Sequence, residues 1–130
     1  MRPVNSAHVM QSVLIVGFVL ICSAGTLRAQ DPVKVAPNHF KVLLENERVR
    51  VLDFHAKHGE KIGMHSHPDY ITYPIASSGK TKFTSPDGKV TEQPASVGRA
   101  TYHHAETHAS EYVGPGKTHV LLVELKAPNQ

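Results

Sequence analysis

Residues 59–79 read GEKIGMHSHPDYITYPIASSG, and the fold turns on how this stretch is parsed. Its centre is His65-Ser66-His67. Side chains on a β-strand alternate between faces, so residues two apart point the same way. Imidazole nitrogen is among the commonest metal donors, and two same-face histidines joined by a third from another strand can hold one ion. His108, further along the chain, is the candidate third. The pair alone says little, because a chain of 130 residues with ten histidines makes about one such pair by chance. The flanks carry more weight. Gly59 precedes His65 with five residues between them, and Gly79 closes the strand-like run YITYPIA at 70–76.

Outward from this stretch the chain reads as short strands punctuated by turns. Phe40, Val42 and Leu44 alternate, and Val49, Val51 and Asp53 fall on one face of the next segment, with Leu52 and Phe54 on the other. Pro74 marks its strand as an edge or a bulge. Ser85-Pro86-Asp87-Gly88 joins Lys80–Thr84 to Lys89–Glu92 as a hairpin. Two shorter runs, at 100–104 and 108–113, precede the clearest strand, HVLLVEL at 119–125. No stretch sustains helical apolar spacing. Many short strands at close, regular spacing predict an all-β sandwich or barrel.

The first 29 residues are set apart by composition. Arg2, the uncharged run VLIVGFVLI at 13–21 and small residues before Ala29 have the grammar of a secretory signal peptide. The run is shorter than the roughly 20 residues that span a bilayer. Export is expected, most simply to a bacterial periplasm, with no membrane attachment after cleavage. Residues 30–38, with two prolines, read as a linker or edge segment, 39–127 as one domain and 128–130 as a tail. The only cysteine, Cys22, leaves with the signal, so no disulfide or thiolate ligand remains. Net charge falls from +3 to +1, and no Lys/Arg cluster suggests a nucleic-acid surface. Nine of the ten histidines stay.

The stretch resembles the first motif of the cupin family: Gly, five residues, His-x-His, three or four residues, Glu, six residues, Gly. Here the chain runs Gly59-EKIGM-His65-Ser66-His67-PDYI-Thr72-YPIASS-Gly79, with every spacing matched and Thr72 in the glutamate position. The second motif is degraded. After Gly98, His104, Glu106 and Tyr112 stand where Pro, Gly and Asn are usual, and His108 falls one residue early. The resemblance covers roughly residues 39–127. It implies a cupin-type double-stranded β-helix, or jelly-roll barrel, in which His65, His67 and His108 bind a divalent transition metal.

The family's glutamate ligand is absent, which leaves two arrangements open besides a decayed site. One is a three-histidine centre with open coordination; the other rebuilds the ligand set from Glu106, His103 or His104. Nitrogen ligands suit Fe, Mn, Ni, Cu or Zn alike. Less compensated charge on the ion favours an anionic ligand. Tyr70, on the face of Thr72, and Glu106 are the candidate acid–base residues. His55 and His58 read as solvated, and His39 and His119 carry no spacing signal. The expected functions are a metal-dependent oxygenase or isomerase acting on a small polar or anionic molecule, a non-catalytic ligand- or metal-binding module, or a structural cupin. A homodimer is left open.

Overall fold

The computed structural model describes residues 30–127; the expected signal peptide and the tail at 128–130 lie outside the described residues. A one-turn helix, α1 (Pro32–Val35), is followed by β1 (Phe40–Glu45), β2 (Val49–Lys57), β3 (Lys61–His67), β4 (Tyr70–Ala76) and β5 (Lys80–Thr84). Then come β6 (Val90–Pro94), β7 (Thr101–His103), β8 (Glu106–Tyr112) and β9 (Lys117–Leu125). The strands form two antiparallel sheets, ordered β1-β2-β9-β4-β7 and β3-β8-β5-β6. From β2 to β5 each strand changes sheet, so the chain winds around a common interior, as a jelly roll does.

Period two places the core. β2 and β9 pair without interruption from Val49↔Leu125 to Lys57↔Lys117, and the inward pairs are Arg50↔Glu124, Leu52↔Leu122, Phe54↔Val120 and Ala56↔Thr118. Leu52 and Leu122 join Phe40, Ile62 and Tyr70 in one buried cluster, with Phe54 and Val120 packed against it. One inward pair, Arg50↔Glu124, is charged. Its consequences appear at the site below.

β4 lies between β9 and β7, but β7 pairs only with Tyr70–Thr72, so Pro74 is laddered to β9 alone and stands beside a bulge. The register slips between Pro74 and Ala76, where the missing N–H leaves the ladder. The hairpin turns as expected, with Gly88 at φ +84° and Ser85 N donating to Lys89 O at 2.9 Å.

Residues 30–38 differ from the expected linker or edge segment. Asp31 caps α1, its carboxylate accepting from Val33 N at 2.8 Å, and Pro32 occupies the first helical position. The prolines read as breakers, but Asp-Pro at this spacing starts a helix. Val33 and Ala36 pack on the core. Asp31 also accepts from Arg50 at 2.6 Å, tying the segment to β2.

Two motif glycines have separate physical reasons. Gly59 turns the chain with φ +78° and open space around it. Gly79 is needed for close approach: a Cβ there would lie 2.1 Å from the Gly114 Cα. Backbone cannot yield as a side chain can. We therefore expect Gly79→Ala to cost about 3 kcal/mol as overpacking, and Gly59→Ala about 1–2 kcal/mol through its left-handed φ alone. Urea unfolding of both variants measures this, and an unchanged midpoint for Gly79→Ala would contradict the close approach.

Candidate metal centre

Strand β3 delivers two of the three histidines and β8 the third. Ile62, His65 and His67 all point inward, which strict alternation forbids between 62 and 65. A register shift between Ile62 and His65 absorbs the extra residue. It sets His65 directly opposite His108, with His67 two residues on along the same face. All three rings are buried, and one nitrogen from each lies within 4.8 Å of the other two. Ring centroids are 4.8 Å apart for His65–His108, 4.9 Å for His65–His67 and 5.5 Å for His67–His108. This group could hold a metal ion.

The second nitrogen of each ring tests that fit. His65 Nδ1 is 2.8 Å from the Gly63 carbonyl, which can only accept, so Nδ1 carries the proton. His67 Nδ1 is 2.7 Å from the Glu124 carboxylate, with the same consequence. His108 Nδ1 is buried without a hydrogen bond, and faces Glu106 Oε1 at 3.5 Å. Nδ1 of His65 and of His67 is thus bonded to an oxygen acceptor, which leaves Nε2 of those two rings as the free lone pair; His108 Nδ1 faces Glu106 without bonding it. Metal-binding histidines are oriented in this way, with the outer nitrogen tied to a carbonyl or carboxylate. Burial pushes His65 down to about 4, which keeps the imidazole neutral and able to donate. The residues present fit a transition-metal ion.

Glu124 was not among the residues anticipated from sequence. Its side chain is 2% exposed and joins His67 to Arg50, whose Nε donates at 2.6 Å; Arg50 in turn reaches Asp31 at 2.6 Å. Burial raises the Glu124 pKa, but hydrogen bonds from His67 and Arg50 hold it below the ordinary carboxylate value. The signal was present in HVLLVEL. Alternation puts Glu124 on the face of Val120 and Leu122, and a carboxylate on an apolar face needs partners. A carboxylate thus stands one hydrogen bond behind His67, shared with Arg50, where the expectation was of a less compensated ion.

The alternative ligands are placed elsewhere. Thr72 Oγ1 is 2.9 Å from His103 Nε2, and His103 stacks on Tyr70 at 4.6 Å. His104 is exposed beside Tyr102. Glu106 stands on the Nδ1 side of His108. Among the described residues the cluster ends at three imidazoles.

Tyr70 and Glu106 are brought together and tied to each other, the tyrosine hydroxyl donating to the carboxylate. The facing His108 imidazole chiefly, and then Tyr70, hold Glu106 down to about 2. Burial, and then Glu106, push Tyr70 above its ordinary value. At neutral pH the pair is a fixed donor and acceptor, with Tyr70 stacked on His67 at 4.7 Å.

Beside the centre lies a cavity of about 400 Å³, lined in part by His65, His108, Tyr70 and Thr72, with Phe40 and Phe83 among its apolar walls. Among the described residues no Lys, Arg, Asp or Glu lines it.

Glu124→Gln keeps the shape and removes the charge behind His67. We expect it to weaken divalent-metal affinity about 10–100-fold, while Thr72→Ala leaves affinity unchanged. Competition against a chelating dye measures both, and wild-type affinity in Glu124→Gln would remove Glu124 from the site.

No protein-family model matches the chain, and no functionally curated protein matches it. Solved structures do. A cupin domain protein from Bordetella pertussis Tohama I superposes with a TM-score of 0.62 at 23% identity, over 68% of this chain and 92% of that one. A Klebsiella pneumoniae protein with a double-stranded β-helix domain gives 0.52 at 24% identity, over 69% and 78%. An RmlC-like cupin family protein from Methanocaldococcus jannaschii also gives 0.52, at 16% identity over 67% and 78%. With its two interlocking antiparallel sheets and inward histidines, the chain has the cupin fold, a double-stranded β-helix.

Proposed function

We propose that this chain is an exported, metal-dependent cupin. In this reading His65, His67 and His108 hold one divalent transition ion, and the adjoining cavity takes a small molecule whose polar or anionic group reaches that ion. The observation that carries the reading is three buried imidazoles with one nitrogen of each within 4.8 Å of the others, two of them turned by Gly63 and Glu124 so that Nε2 is left over. A merely polar pocket needs no such arrangement. Export rests on the signal-like segment at 1–29.

When bound, the ion would supply Lewis acidity and open coordination positions, the chemistry used by oxygenases and isomerases. Fe, Mn, Ni, Cu and Zn all suit three imidazoles. The chain's own residues do the rest. Gly63 and Glu124 fix two ring tautomers, Tyr70 packs against His67, and apolar walls limit water. With no cationic side chain lining the cavity, attraction for an anionic group falls to the ion, and the ligand body is apolar or neutral.

Titration calorimetry of metal-loaded and metal-free protein with small carboxylates and their neutral isosteres tests this. We expect measurable binding only with metal present, and its loss in His65→Ala/His67→Ala together with the ion. Equal ligand affinity with and without metal would overturn the reading. Oxygen uptake by iron-loaded protein with the ligands that bind then separates turnover from capture.

A further inference from the structure

The outer face of the five-stranded sheet carries a second group of metal-ligating side chains, far from the interior in the sense that matters: it points the other way. His55 on β2 and His119 on β9 are directly paired across the ladder, and Asp53 precedes His55 by two residues. Alternation therefore sends all three to one side, opposite to Leu52 and Leu122. His55 is solvated, as expected, but it does not stand alone. Its ring is stacked on His119, with centroids 4.0 Å apart and planes 20° apart.

Both rings aim their Nε2 atoms at one carboxylate. His119 Nε2 is 2.5 Å from Asp53 Oδ1, and His55 Nε2 is 3.1 Å from Oδ2. One donor atom from each residue lies within 4.8 Å of the others. Two N–H groups converging on a carboxylate occupy the place that a single divalent cation would take. The backbone beneath is held in register by His39, whose carbonyl accepts from His55 N at 3.0 Å and whose Nδ1 bonds to His55 O at 2.9 Å. Solvent reaches the group, since the side chains are 52% (His55), 28% (His119) and 21% (Asp53) exposed.

We propose that Asp53, His55 and His119 form a second divalent-metal site, built of two imidazoles and one carboxylate with water completing the coordination. This donor set selects Zn, Ni or Cu over Ca or Mg, which prefer oxygen cages. The surroundings make it the weaker of the two sites. Lys41 pairs with Asp53 across β1, and Lys57 pairs with Lys117 as the next outward pair beyond the histidines. Three lysines at neighbouring register positions disfavour a cation, so the interior site fills first.

Equilibrium dialysis of untagged protein with zinc tests the assignment. We expect two zinc ions per wild-type chain, one in His55→Ala/His119→Ala, and one weakly held ion in His65→Ala/His67→Ala. Because the outer histidines contribute little burial, their variant should fold, and a thermal melt checks this. In wild-type protein, zinc beyond the first equivalent should shift the Nε2 resonances of His55 and His119 in ¹⁵N NMR. Wild-type stoichiometry in His55→Ala/His119→Ala, or no shift of those resonances at saturating zinc, would overturn the second site. Loss of zinc from the interior variant alone would instead bear on the three-histidine centre.

Discussion

The hydrogen bond between Glu124 and His67 is the constraint on which most of this structure depends. A carboxylate 2% exposed in a barrel interior is costly unless every lone pair finds a partner. Here Arg50 takes one oxygen and His67 the other, and Arg50 is itself balanced by Asp31. The chain Asp31–Arg50–Glu124–His67 runs from the cap of α1 through β2 and β9 to β3. It crosses from one sheet to the other, and so fastens the N-terminal segment, the inter-sheet packing and a metal-facing imidazole with a single set of charges. Removing one member leaves a buried charge without its partner, which is why fold and site are not separable at this point.

The fold was legible because two glycines and a period of two carried it. Gly59 and Gly79 stand at distances set by real geometry, a left-handed turn in one case and backbone contact with Gly114 in the other. The inward histidines were legible from the alternation of His65 and His67, and His108 from its place in the degraded second motif. What escaped notice at the two ligand groups has one physical cause. Partners across a sheet are chosen by register, and register is not written locally. Glu124 on an apolar face was visible in HVLLVEL, but its pairing with Arg50 and His67 depends on β2, β3 and β9 meeting. Asp53, His55 and His119 were hidden in the same way, since the two histidines lie on strands brought together only by the β2–β9 ladder. Residues 30–38 escaped for a different reason: Asp31-Pro32 serves both as a turn signal and as a helix start.

The two groups of ligands also differ in what they can do. The interior one is buried and flanked by a cavity, so an ion there could meet a small molecule beside it. The outer one is reached by solvent and has lysines at neighbouring register positions. Tyr70 and Glu106 belong with the first as a fixed pair that braces His67 and faces His108. In that arrangement Glu106 is too acidic to act as an efficient base near neutral pH.

The central claim is that three buried imidazoles, two of them turned by an oxygen behind the ring, present one nitrogen each to a single ion. X-ray absorption at the zinc edge, on protein loaded with one equivalent, counts those ligands directly. The account predicts three imidazole nitrogens at about 2.0–2.1 Å with water or another light atom completing the shell. Fewer than three imidazoles at the ion, or a shell made mainly of oxygen, would contradict it.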